Sequence, residues 1–178
     1  MPADSVLMRP GVDEHAPYYG LYVRQVPEGD VLEVLVEEVG RTVALLTPLD
    51  ETQAAFRYAP GKWSIKEVVG HVIDVERVFA QRALHFARKN STPLPSMEQD
   101  DWVAAGRFDR RTLASLLDEF TIVRQANLAM FHGFDPEAWT RRGVASGVEF
   151  TVRSLPYIIA GHEIHHRNVL ETKYLPSL

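Results

Sequence analysis

Four stretches of the chain carry apolar residues at the three- and four-residue steps of an amphipathic helix. In Asp30–Leu46 they are Val31, Leu32, Leu35, Val36, Val39, Val43 and Leu46; Asp30 stands as an N-cap with Glu33 three residues on, and Pro48 follows the end. The second stretch starts at "WSIKE", where Ser64 and Glu67 have the spacing of a capping box, and runs to about Lys89 before "NSTPLPS" breaks it. The third spans Asp109 to Gly133, read as N-cap and C-terminal stop, with Leu113, Leu116, Leu117, Phe120, Val123, Leu128 and Phe131 as its apolar content. The fourth, "TVRSLPYIIAGHEIHHRNVLETKYL", holds Pro156 near its start, where only the first helical turn accepts proline. "DETQAAF" allows a turn or two more, and "GVASGVEF" the one small hairpin. The pattern predicts an all-α protein whose simplest architecture is a four-helix bundle. It is read as one domain over residues 1–178, with residues 1–27 as an N-terminal extension packing on the bundle. The connections are too long for topology to be inferred from loop length.

Composition removes several classes of function. The chain has no cysteine, which excludes a disulfide framework, a thiolate metal site and a cysteine nucleophile. A net charge of −5 gives no electrostatic reason to expect a nucleic-acid partner. No apolar run is long enough to span a bilayer, so no membrane partner is expected. The N-terminus lacks the basic and apolar regions of a signal peptide, so the expected location is cytoplasmic.

Three of the seven histidines fall within "GHEIHH". At about 100° per residue, His162 and His166 both lie inside the apolar stripe of the fourth helix with Leu155, Ile158, Ile159 and Val169, about 40° apart. His165 falls about 60° to the other side of His162, at the edge of the stripe. On the second helix His71 shares the inward face with Val68, Val75, Val78 and Phe79, while Glu67 and Asp74 lie on its flank. His85 is about 21 Å further along the axis, and His15 and His132 lie outside the stripes or at a helix end. A single histidine on an apolar face is ordinarily a hydrogen-bonded core residue. Two at i, i+4 in mid-stripe, with a third from another helix, are different: burying them without partners is unfavourable, and one metal ion removes that cost. His71, His162 and His166 are therefore read as ligands of one divalent metal with an open fourth position. Three imidazoles suit zinc or nickel foremost, with iron, manganese or copper as further candidates.

"HEIHH" also matches the H-E-x-x-H metalloprotease helix, with Glu163 as base. That reading is disfavoured. Only 12 residues follow His166, their one acid, Glu171, faces away, and no sheet is evident to hold a peptide.

"GKWSIKEVVGHVIDVERVFAQR", "PLPSMEQDDWVAAG" and "TVRSLPYIIAGHEIHHRNVL" resemble, in turn, the second helix, the acidic-aromatic loop and the last helix of the DinB-like superfamily, in the branch of YfiT and the bacillithiol S-transferases. The likeness covers roughly residues 28 to 174. It implies a four-helix bundle, often dimeric, with a divalent metal held by His71, His162 and His166. Members differ in chemistry: thiol transferases, thiol-dependent isomerases, and proteins labelled hydrolases. The resemblance favours a metal-dependent transferase joining a low-molecular-weight thiol such as bacillithiol to an electrophilic small molecule. The alternatives are a hydrolase with a metal-activated water and a non-catalytic metal-binding bundle. Asp74, Glu67 and Glu163 are the candidate general bases, and Asp74 also a candidate hydrogen-bond partner for His71. Trp63 fits a hydrophobic staple at the helix entry. Arg82, inside the apolar stripe, calls for a buried acid or marks the helix leaving the core. The aromatic "APYYGLYVRQVP" is placed over the bundle mouth, chiefly as packing.

Overall fold

A computed structural model describes residues 7–178. The proposed extension at residues 1–27 therefore lies partly outside the described residues. Four long helices dominate: α2 (Val31–Leu46), α4 (Ile65–Ala87), α6 (Leu113–His132) and α7 (Ser154–Val169). The short helices α1 (Gly20–Val23), α3 (Glu51–Ala54) and α5 (Gln99–Gly106) and a hairpin of β1 (Arg142–Ala145) and β2 (Val148–Thr151) fill the connections. Helix α4 packs on α6 and α7, and α2 packs on the same two. The long helices consecutive in sequence, α2 and α4, thus face each other across the bundle. The connections of 18 residues between α2 and α4 and of 25 between α4 and α6 leave room for these crossings.

The helix starts follow local chemistry. Asp30 accepts a hydrogen bond from the Leu32 N–H, and Ser64 and Glu67 form both halves of their capping box. The expected cap at Asp109 is corrected to Thr112, whose hydroxyl accepts from the Ser115 N–H. Asp109 instead sits in a 3-10 turn, Phe108–Arg110, and the extended backbone at Arg111 prevents the helix from starting sooner. The acidic-aromatic segment read as a loop contains a helix, α5. Pro156 lies in the first turn of α7, where it breaks no helical hydrogen bond.

The core is divided. One apolar cluster gathers Val31 and Leu35, Phe79 and Phe86, Phe131, Phe150, Leu155 and Ile158. The other gathers Leu46, Ile65, Val72, Leu116, Phe120 and Leu170. Between them runs a layer of buried polar residues to which every long helix contributes: Glu38 and Thr42, His71 and Glu76, Arg124, His162 and Glu163. This layer corrects the expected inward face of α2. Val36 is 55% exposed, while Glu38 is 1% exposed, because the polar belt needs an acid and a hydroxyl from this helix. Arg124 is the centre of the layer. It donates in a fork to Glu76 (2.8 Å twice), to Glu163 (2.7 Å) and to the Leu35 carbonyl, while Thr42 donates to Glu163 (2.7 Å). Burial acts to lower the pKa of Arg124, but the carboxylates of Glu163 and Glu76 outweigh it and raise the pKa, so Arg124 stays charged.

The N-terminal segment is tied to the hairpin end by Glu14, which is buried and accepts from Arg153, the Thr151 hydroxyl (2.8 Å) and the Gly11 N–H (2.8 Å). Burial alone would raise its pKa; these donors win and lower it to about 2. A carboxyl depressed in the fold adds stability above its unfolded value, lost as pH falls from about 4.5 towards 2. Glu14→Gln is accordingly expected to cost about 1–3 kcal/mol at pH 7, the range allowing for solvent screening, and much less at pH 3. Urea unfolding of both proteins at the two pH values checks this; a gap independent of pH contradicts it.

Candidate metal centre

Two of the site histidines directly follow a glycine, and both glycines are places of close approach. A Cβ on Gly161 would stand 2.1 Å from the Tyr22 carbonyl oxygen, so only glycine lets α1 cross α7 here. A Cβ on Gly70 would stand 2.3 Å from the Phe108 ring. The first crossing sets the Tyr22 ring against His162, at 5.3 Å between centroids, and against His165, at 5.7 Å.

The structure brings His71, His162 and His166 together. Nε2 of His162 is 3.1 Å from Nε2 of His71 and 3.1 Å from Nε2 of His166, and the ligand atoms of all three lie within 4.8 Å of one another. An imidazole nitrogen carries either one hydrogen or one lone pair, so His162 Nε2 cannot satisfy both neighbours by hydrogen bonding. Nitrogen ligands at about 2.0–2.1 Å around a tetrahedral ion stand about 3.3 Å apart, close to the observed spacing. The cluster therefore fits a divalent metal ion. Burial lowers the pKa of His71 to about 4 and, helped by neighbouring histidines, that of His166 to about 3; His162 falls well below its ordinary value for the same reasons. All three are neutral near pH 7, with lone pairs available to an ion.

His165 does not join them. It is half-buried beside Tyr22, one position round the helix. His85 donates from Nε2 to the Thr92 carbonyl (2.9 Å) at the far end of α4, and His15 and His132 donate to backbone carbonyls of their own segments.

The three carboxylates considered as bases are engaged elsewhere. Glu163 is 1% exposed, with both oxygens held by Thr42 and Arg124. Glu67 completes the helix cap and accepts from Arg57 (2.9 Å). Asp74 is half-buried; burial raises its pKa, with Arg77 opposing, and it accepts nothing from His71. The expected Asp74–His71 hydrogen bond is therefore corrected: among the described residues, Nδ1 of His71 has no partner. Trp63 is more than a staple. Its ring packs on the His71 ring at 4.7 Å, and its carbonyl accepts from the Tyr174 hydroxyl (2.8 Å).

His71 and His162 open onto a pocket of about 560 Å³. Tyr18, Tyr19 and Tyr22 form one wall, Val75, Phe79 and Arg82 of α4 another, and Met97 to Asp101 the rim. The aromatic N-terminal segment thus shapes the pocket as well as packing. His166 stands behind, lining a separate small crevice with Thr42 and Glu163. The sequence reading missed Glu76 and Arg124. Their signal was present: an acid and an arginine inside the apolar stripes of α4 and α6, each requiring a charged partner.

A bundle of this kind with three histidines converging from two helices defines a metal-site class, and the family model for the DinB superfamily matches residues 35–170. The chain belongs to the DinB superfamily. Among solved structures it is similar to YfiT from Bacillus subtilis, described as a probable metal-dependent hydrolase with an unusual four-helix bundle topology. The TM-score is 0.69 at 16% identity, over 76% of this chain and 79% of that chain. At that identity the likeness shows the fold. No curated protein matches the sequence. No helix among the described residues is long and apolar enough to cross a membrane.

Proposed function

We propose that His71, His162 and His166 hold one divalent metal ion, zinc or nickel foremost, and that the protein transfers a low-molecular-weight thiol such as bacillithiol to an electrophilic small molecule. The observation that carries the choice of chemistry is the want, among the described residues, of a free carboxylate base beside the histidines; the nearby His165 imidazole is turned to Tyr22. Glu163 and Glu67 are engaged, Asp74 is not on the pocket wall, and the acids that are, Glu98, Asp100 and Asp101, are exposed at the rim. Metal-assisted hydrolysis needs a group to take or steer a proton from water. A divalent ion held by the three histidines would favour the thiolate of a bound thiol, its proton passing to solvent, so that no carboxylate base would be needed. The chain has no cysteine, so the thiol comes from a co-substrate. The chain's own residues do the rest. Neutral imidazoles present lone pairs, and Trp63 and Tyr22 wall the site against water. Tyr22, whose pKa is raised by burial and by the Tyr18 hydroxyl at 3.2 Å, stays protonated and is a donor for a departing anion. A homodimer completes this reading on the strength of the family resemblance.

The hydrolase reading is kept because the similar structure carries that description. Incubating the metal-loaded protein with a reactive chloroarene or an epoxide, with and without bacillithiol, separates the readings. Thiol-dependent consumption at least about tenfold above the metal-free protein, a difference of ~1.4 kcal/mol in barrier, is expected. Turnover that ignores the thiol supports hydrolysis, and no metal-dependent turnover supports a non-catalytic bundle.

A further inference from the structure

The unusual residue in the pocket is Arg82. It is 2% exposed and sits in the apolar stripe of α4, its guanidinium 4.8 Å from the Phe79 ring centre and 5.9 Å from that of Phe150. The acid expected to pair with it is absent among the described residues. One nitrogen, Nη2, donates to the Pro95 carbonyl (3.1 Å) and to the Ser146 hydroxyl (2.9 Å). The other, Nη1, is buried and has no partner among the described residues. Burial lowers the pKa of Arg82, with the Tyr19 phenol opposing. A buried cation without an anion is strongly unfavourable. As a mere clamp between α4 and the hairpin, Arg82 would need only Nη2. The charge and Nη1 are left unexplained.

Both Arg82 and Ser146 line the pocket onto which His71 and His162 open. Ser146 is held there by the β1–β2 turn in the left-handed region (φ 54°), and its amide donates to the Leu94 carbonyl (3.0 Å). Its hydroxyl accepts from Arg82, which leaves the hydroxyl hydrogen to donate. A buried guanidinium N–H beside a hydroxyl donor matches the two oxygens of a carboxylate. We infer that Arg82 and Ser146 form a carboxylate-recognition subsite, so that the pocket takes an extended small molecule with a carboxylate at one end and a metal-seeking group at the other. This deepens the proposed function and rests on the metal centre for the second half of the ligand.

The geometry sets the ligand's size and charge. Eleven residues separate His71 from Arg82, a rise of about 16 Å along α4. The guanidinium lies over the Phe79 ring, one turn back towards His71. The exposed Glu98, Asp100 and Asp101 at the rim oppose a multiply charged anion such as a phosphate and are compatible with one carboxylate.

The test uses the full chain loaded with cobalt(II), whose absorption band on binding sulfur reports a thiol in the site. Straight-chain ω-mercaptocarboxylic acids of increasing length are titrated beside the matching primary amides. The acid is expected to bind about ten- to a hundredfold more tightly than its amide at an intermediate length, as for a charge-assisted hydrogen bond. Arg82→Gln should abolish that preference by weakening the acid far more than the amide, and Arg82→Lys should keep part of it. A purely structural Arg82 would alter stability and leave the acid-to-amide ratio untouched. Equal binding of acid and amide at every length by the unmodified protein overturns the proposal, whether or not the variants fold. Failure to take up cobalt counts against the metal centre instead. The same acids and amides, titrated calorimetrically into the metal-free protein, then decide the subsite by the same ratio.

Discussion

His166→Ala is expected to empty the metal site, and His165→Ala to leave it filled. The two residues are neighbours in sequence, so proximity to the cluster cannot distinguish them. The helix does. His166 Nε2 lies 3.1 Å from that of His162, whereas the His165 ring is turned to Tyr22. Removing one of three nitrogen ligands should lower metal affinity by more than the ~10–100-fold that changes behind the ligands produce. Elemental analysis of the purified variants should therefore find far less than one ion per chain in His166→Ala and in His71→Ala, and about one in His165→Ala. His165→Ala can still slow turnover, since His165 and Tyr22 adjoin the site. Metal lost from His165→Ala and retained by His166→Ala would refute the assignment.

Arg124→Leu should destabilise the fold by about 3–5 kcal/mol, a large share of the ~5–15 kcal/mol that holds a domain together. Arg124 and Glu76 are each 1% exposed on their side chains, as is Glu163, so the variant leaves two carboxylates buried without their cation. Replacing both acids as well, in Arg124→Leu/Glu76→Gln/Glu163→Gln, should restore much of the loss, because no unpaired charge then remains. Urea unfolding measures both. A single variant within about 1 kcal/mol of the parent would show that the network is not holding the helices as described. Glu163 also adjoins His162, so Arg124→Leu should weaken metal binding without removing a ligand.

Much of this was legible along the chain. Periodicity marked the four long helices. Ser64 with Glu67, and Asp30, marked two of their starts, because capping is a contact between residues two or three apart. The 100° step was enough to separate His166 from His165 and to set His71, His162 and His166 on inward faces. Asp109 failed as a cap for a tertiary reason that the sequence hides: Phe108 turns inward against Gly70 of α4, and the chain extends at Arg111 before α6 begins.

The sequence alone determined which faces of α4 and α7 point inward, that no thiolate of the chain could serve a metal, and that paired imidazoles could. Only the tertiary structure decided the order of the helices around the bundle, because long connections permit several. It placed Glu163 in the Arg124 network rather than beside the histidines: one residue's turn along α7 is 100°, and its partners come from α2 and α6. It turned Glu38 and Thr42 inward and Val36 out, since a polar layer assembled from four helices has no period on any one of them. It also set Arg82 in the pocket with no acid among the described residues to meet it. A side chain's partners come from elements distant in sequence, so a buried charge can be noticed in the sequence, but what it faces is settled only by packing.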